Sequence, residues 1–274
     1  MQRVRFSPIL LIVLSGVIVT IPAAGEEPAA PAAAAVALPH LSQKLQTPEG
    51  ILIVALGDSV TKGSMEIGKC DFLSVYHNQL KRLLEERHNT KVFNVINAGI
   101  DGDDSVNGLR RLARDVLRFE PDLILIAFGL NDCAGRGLGG LDGFKANIQA
   151  MIDAIRKSGP ADIILLTPNF MATSDNANVC EEHRRLNYPA LMSRVQNEGV
   201  LSAYAEALRE IGASNKIPVA DVYAKWQTLS CAIDTNTMLS NGLNHPNKAG
   251  HLLTAQAIMQ VIDPNFMIER ERAQ

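Results

Sequence analysis

Residues 51–63 read ILIVALGDSVTKG. Apolar residues run without alternation from Ile51 to Leu56 and stop at Gly57. An Ile- and Val-rich run closed by a glycine predicts a strand buried on both faces. Such strands belong to parallel sheets covered by helices. Asp58 and Ser59 follow at once, at the end of the strand where ligands of open α/β sheets gather.

Working outward, the same alternation continues. Residues 72–89 carry apolar side chains at helical spacing (Phe72, Tyr76, Leu80, Leu83, Leu84), and 91–99 predict a second strand. An amphipathic helix is expected over 105–119 with Ser105 as its cap, then a third strand over 121–129. A helix over 141–159, a strand over 162–168, mostly helical sequence over 182–212, a short strand over 216–222 and a last helix over 247–262 complete the pattern. Strands separated by helices, joined by right-handed crossovers, give a three-layer α/β/α sandwich with a doubly wound parallel sheet. The Gly-rich GRGLGG (135–140) does not open a phosphate-binding unit and is expected as a mobile rim loop.

Residues with chemical potential fall just after the expected strands. Ser59 follows the first, Gly102 the second and Asn131 the third, while His245 precedes the last helix. The motifs GDSVTKG, NAGIDGDDS, FGLND and HPN resemble, in order and context, the blocks of the SGNH hydrolases, also called the GDSL esterase/lipase family. The resemblance covers nearly all of residues 51–262 and implies a flavodoxin-like SGNH fold and carboxylic ester hydrolysis. It implies Ser59 as nucleophile and His245 as its base. It also implies an oxyanion hole made by the N–H groups of Ser59 and Gly102 and the side-chain amide of Asn131. The chemistry agrees: a serine hydroxyl needs a neighbouring base, and donors must point where charge develops on the carbonyl oxygen. Asp58 is expected to fix its loop rather than to act on His245. No cofactor is implied, and the carboxylates of DGDD (101–104) lack the spacing of a calcium loop.

One member of the constellation is missing. Many relatives carry an Asp three residues before the histidine, where this chain has Gly242; one further back is Asn241. Three acceptors for the second ring nitrogen of His245 are open. They are the Asn241 side chain, a backbone carbonyl of residues 239–242, and a remote carboxylate such as Asp234. Asn can orient a catalytic histidine, as Cys–His–Asn sites show. A catalytically weak binding module on the same fold is the rival reading. Of the other histidines, His77 and His88 are expected at the surface or edge of a helix, and His251 is expected to be structural.

Composition bounds the rest. Residues 1–25 have a basic start (Arg3, Arg5), an apolar run and small closing residues, the layout of a secretory signal. The run is about 14 residues, short of the roughly 20 a spanning helix needs. Residues 26–49 begin EEPAAPAAAAVALP and are expected to be a Pro/Ala-rich linker, leaving one hydrolase domain over 50–274. The expected location is therefore secreted or periplasmic, with no membrane span after signal removal. Formal charge is −3, and no Lys/Arg run marks a nucleic-acid surface. Cys70, Cys133, Cys180 and Cys231 permit two disulfides in an exported chain, with free thiols as the alternative. Export, no evident lid helix and polar loops favour small-acyl esters, such as acetyl groups on a carbohydrate. A lipase or thioesterase is the runner-up.

Overall fold

The structure, a computed structural model, describes residues 38–266. The expected signal (1–25) and the first part of the expected linker lie outside the described residues. The elements run α1 (Pro39–Leu45), β1 (Ile51–Gly57), α2 (Ser59–Lys62), α3 (Tyr76–Arg87), β2 (Phe93–Gly99), α4 (Ser105–Asp115), β3 (Leu123–Ala127) and α5 (Leu130–Arg136). They continue with α6 (Leu141–Ser158), β4 (Asp162–Leu166), α7 (Glu181–Arg185), α8 (Tyr188–Asn197), α9 (Val200–Asn215), β5 (Val219–Ala220), α10 (Val222–Ser230) and α11 (Lys248–Ile262).

All five strands are parallel, in the order β2-β1-β3-β4-β5. This is the doubly wound sandwich expected from the sequence. Helices α3 and α11 pack together on one face; α4, α6 and α9 pack in succession on the other. β1 lies between β2 and β3, and from Ile53 to Leu56 its side chains are wholly buried. The chain order reverses beside β1, so its carboxyl end opens into the crevice where such sheets bind ligands.

Several sequence expectations are corrected. Residues 38–49 are not all linker: α1 docks at the amino ends of β3 and β4. Leu38 and Leu41 are buried, the Leu41 N–H donates to Asp162 Oδ2 (2.8 Å), and His40 Nε2 pairs with Asp122 Oδ1 (2.9 Å). The Pro/Ala run ends at Pro39, and residues 40–49 (HLSQKLQTPE) are held by apolar burial and these bonds. Asp104, not Ser105, caps α4 by accepting from the Asn107 N–H (2.9 Å). GRGLGG is helical, formed by the end of α5 and a 3-10 turn, and Tyr204 Oη donates to the Gly137 carbonyl (2.7 Å). The four cysteines are free thiols, with only Cys133 buried. No described helix is long and apolar enough to cross a membrane.

His77 is buried rather than at the surface. Its Nε2–H donates to the Thr61 carbonyl (3.1 Å). His251, on α11, stacks on Tyr76 at 6.3 Å between centroids, and neither of its ring nitrogens has a partner among the described residues. Burial pushes the His77 ring down to about 4 and the His251 ring down to about 3. Both rings are neutral above pH 6.5, folded or unfolded. As pH falls below 6.5 the unfolded chain binds protons that the folded chain refuses, so stability is lost down through the folded values. Between pH 7 and pH 5, His251 alone should cost about 2 kcal/mol. Urea unfolding of the parent and His251→Leu at both pH values checks this: their stability difference should move by about that much toward the Leu variant at pH 5. An unmoved difference would mean the ring is hydrated or paired.

Candidate active site

β1 ends at Gly57, and α2 begins two residues later. Asp58 caps α2, its Oδ1 accepting from the Val60 N–H (2.9 Å). Ser59, 6% exposed, is the first residue of this helix. First-turn N–H groups have no acceptor within their own helix, so the Ser59 N–H is available beside its own hydroxyl. The short helix fits because of Gly99: a Cβ there would meet the Lys62 nitrogen at 2.1 Å. Asp58 is structural, as expected. Burial raises its carboxyl to about 7, against the pull of the backbone N–H groups it faces.

His245 reaches Ser59 from the far end of the chain. Its Nε2 lies 2.9 Å from Ser59 Oγ and its Nδ1 lies 2.8 Å from the Met65 carbonyl oxygen. A carbonyl can only accept, so Nδ1 carries the proton and Nε2 presents its lone pair to the serine hydroxyl. This is the tautomer a general base for Ser59 requires. Burial holds the ring below its ordinary value, with the Met65 carbonyl and Asp101 pulling upward and His183 pulling down. The ring is therefore neutral and ready at pH 7.

Asn241 does not touch the His245 ring, which corrects its expected catalytic role. Its Oδ1 accepts from the N–H groups of Leu243, Asn244 and His245, each at 3.0 Å, and its Nδ2 donates to Asn244 Oδ1 (3.0 Å). The side chain is consumed in holding the loop that presents His245. Asp234 is also elsewhere, accepting from the Asn236 N–H at the start of a 3-10 turn. A backbone carbonyl does hold His245, but it comes from the loop after α2 and not from residues 239–242.

The oxyanion candidates converge on the same cleft. Gly102, Asn131, Ser59 and His245 line a cavity of about 420 Å³. Gly102 sits at φ +73, with nothing within 4 Å of where a Cβ would lie. That left-handed conformation favours glycine and leaves its N–H approachable. Asn131 Nδ2 donates one hydrogen to the Asp103 carbonyl (2.7 Å), which fixes the amide and leaves the second hydrogen for a ligand.

Sequence reasoning missed three contributors. Met65 acts only through its backbone. Asp101 lines the cleft beside His245, accepting from Ser64 Oγ (2.5 Å) and Lys62 Nζ. Burial opposes its ionisation, but these donors win and hold its carboxyl below the usual range. Buried Arg111 donates to the Gly57 carbonyl (2.8 Å), the Ala98 carbonyl (2.7 Å) and Asp103 Oδ2 (2.6 Å). It thereby ties the ends of β1 and β2 to the Gly102 loop. Of these, Asp101 was visible only as part of DGDD and Arg111 only as a basic residue eight positions past Asp103, while Met65 left no trace.

A parallel sheet carrying a Ser–His pair and convergent donors at its carboxyl edge defines a serine-hydrolase type of site. The sequence matches the GDSL-like Lipase/Acylhydrolase family over residues 55–253. The chain belongs to that family. An arylesterase from Vibrio mimicus is 36% identical over 132 residues, which span 46% of this chain and 58% of that relative. Among solved structures, a catalytic mutant of the acetylxylan esterase Axe2 from Geobacillus stearothermophilus superposes with TM-score 0.60 at 20% identity, covering 79% of this chain and 97% of that one. A lipase/acylhydrolase from Enterococcus faecalis gives 0.57 at 25% identity, with coverages of 79% and 97%. A two-domain esterase active on acetylated mannans gives 0.61 at 21% identity, with coverages of 83% and 52%.

The Asn241 contacts make a discriminating prediction. Asn241→Asp keeps the acceptor for the three N–H groups but places an oxygen against Asn244 Oδ1. Stability should fall by about 1 to 3 kcal/mol, measured by urea unfolding, while the added negative charge beside His245 moves the acid limb of any His245-linked activity upward. Unchanged stability would mean that Asn244 turns its amide nitrogen to meet the new oxygen.

Proposed function

We propose that this chain is an exported serine esterase that hydrolyses small-acyl esters, above all acetyl groups on a carbohydrate. The observation that carries the catalytic part is the Ser59 Oγ to His245 Nε2 contact, with the other ring nitrogen locked on Met65. Ser59 Oγ attacks the ester carbonyl and gives its proton to Nε2. Negative charge on the carbonyl oxygen is met by the N–H groups of Ser59 and Gly102 and by Asn131 Nδ2. The imidazolium returns the proton to the departing alkoxide, leaving an acyl-Ser59. Water, deprotonated by the same nitrogen, attacks the acyl group, and Ser59 regains its hydrogen.

Family membership and the sequence likeness to an arylesterase support ester hydrolysis. The fold neighbours that act on acetylated xylan and mannan support the choice of substrate. The amino-terminal sequence supports export. A second reading has its own observation: Ala134, Leu191, Met192 and Leu243 line the cleft, and its volume exceeds what an acetyl group needs. That favours medium-chain acyl groups and a lipase- or thioesterase-type enzyme. A binding module lacks such support, because the nucleophile and base are in contact.

Kinetics on p-nitrophenyl esters of rising chain length decide between the readings. Highest kcat/KM on acetate supports the proposal, whereas a maximum at roughly six to eight carbons supports the second. Asn131→Ala should lower kcat about 100- to 1,000-fold, and Ser59→Ala should abolish turnover and labelling by a fluorophosphonate. A parent protein whose Ser59 resists that label is not a serine esterase. Because His245 must be neutral to act and its ring is held below the ordinary imidazole value, the acid limb of kcat/KM should lie below pH 6.5. A limb at or above 6.5 would contradict the burial assigned to it.

A further inference from the structure

Residues 64–70 form a small hairpin beside His245. Ser64 and Cys70 pair across it, the Met65 N–H donates to the Lys69 carbonyl (2.9 Å), and the Lys69 N–H donates to the Glu66 carbonyl (3.1 Å). At its tip Lys69 Nζ meets Glu66 Oε2 at 2.6 Å. The Met65 carbonyl that orients His245 belongs to this hairpin.

The hairpin also walls a second cavity of about 260 Å³. This cavity shares Asp101, His183, Asn241 and His245 with the larger cleft, but not Ser59, Gly102 or Asn131. The two spaces therefore adjoin, with His245 and Asp101 in the wall of both. Stereochemistry assigns them. In the tetrahedral intermediate the oxyanion faces Gly102 and Asn131, so the carbonyl carbon and acyl group belong to the larger cleft. The leaving oxygen must come within reach of Nε2 to take its proton, so the alcohol it carries lies against His245. Nε2 faces Ser59 and the larger cleft while Nδ1 faces the hairpin, so an alcohol that starts at Nε2 and extends along the ring reaches the hairpin cavity.

Resting on the esterase reading above, we propose that the 64–70 hairpin is the leaving-group site, built for a hydroxyl-rich alcohol, with Glu66 and Lys69 as its specificity-determining side chains. The lining favours that class. Lys62, Ser64, Glu66, Lys69 and Asp101 offer charged donors and acceptors, and Ile67 supplies apolar surface at the tip. An alkyl or aryl alcohol would displace water from these groups without replacing its hydrogen bonds. The hydroxyls of a sugar replace them. One hairpin then both orients the base and selects the alcohol whose oxygen that base protonates.

The test holds the acyl group constant and changes the alcohol. kcat/KM is measured on acetylated xylo-oligosaccharides and on p-nitrophenyl acetate, for the parent and the double variant Glu66→Ala/Lys69→Ala. Both side chains are exposed on a turn, so the variant should fold; Lys145→Ala, which breaks the exposed Lys145–Glu210 pair elsewhere, serves as control. The ratio of sugar ester to aryl ester should fall about tenfold in the double variant, carried by KM, and stay constant in the control. Retained hydrolysis with an unchanged ratio overturns the leaving-group assignment alone. An equal fall on both esters also overturns it, because the hairpin would then act only through Met65 and His245. A parent inactive on every ester overturns the esterase reading and this proposal with it.

Discussion

The bond from His245 Nδ1–H to the Met65 carbonyl joins residues 180 positions apart and sets the chemistry of the site. It does two jobs usually given to a carboxylate. It fixes the tautomer, and it fixes the angle at which Nε2 meets Ser59. It does not supply a full negative charge to the imidazolium. The nearest approach to one is Asp101, whose carboxylate lines the same cavities but is engaged by Lys62 and Ser64. The arrangement is a Ser–His dyad with a neutral orienter, and its geometry depends on two loops being held in place.

Those loops are held by buried polar contacts at the carboxyl edge of the sheet. The His245 loop hangs on Asn241, whose one oxygen gathers three backbone N–H groups. Asn169 Nδ2 donates to the Asn244 carbonyl (2.9 Å), and the Ala172 N–H donates to the Leu243 carbonyl (2.6 Å), tying the loop to the segment after β4. On the other side Arg111 donates to the Ala98 carbonyl at the end of β2 and to the Gly57 carbonyl at the end of β1, which also accepts from the Ile100 N–H (3.2 Å). Its planar fork reaches two carbonyls and a carboxylate at once, which a lysine's point charge cannot reproduce. Buried groups of this kind are costly when left unpaired, so the folding energy of the edge and the precision of the site are the same contacts.

The fold was legible because burial on both faces of a strand leaves a continuous apolar run, as in Ile51–Leu56 and Leu123–Ala127. The edge strand β5 pairs with β4 over only two residues, Val219 and Ala220, shorter than the 216–222 expected. Ser59, Gly102, Asn131 and His245 were legible because the chemistry demands side-chain types, or a missing side chain, at strand ends. The orienter of His245 was not, since a backbone carbonyl is present at every residue and MEIGK carries no mark of it. Asn241 misled for a related reason. An amide four residues before a histidine reads the same whether its oxygen faces the imidazole or the main chain; only the turn geometry decides. His77 misled because a helix has two sides, and polarity placed it on the wrong one.

The burial of His245 changes the balance between the two proton transfers of the proposed reaction. A ring whose pKa is held down is a weaker base toward Ser59, and its conjugate acid is a stronger donor toward the departing oxygen. The first transfer is slowed and the second is helped. For an aryl ester the leaving group is stable as an anion and gains little from a stronger acid. For the ester of a sugar hydroxyl the alkoxide is strongly basic, and its protonation carries much of the barrier. On the proposed reaction and leaving-group assignment, a site that trades base strength for acid strength, with charged hydrogen-bonding groups on the hairpin side, would suit poor, hydroxyl-rich leaving groups on both counts.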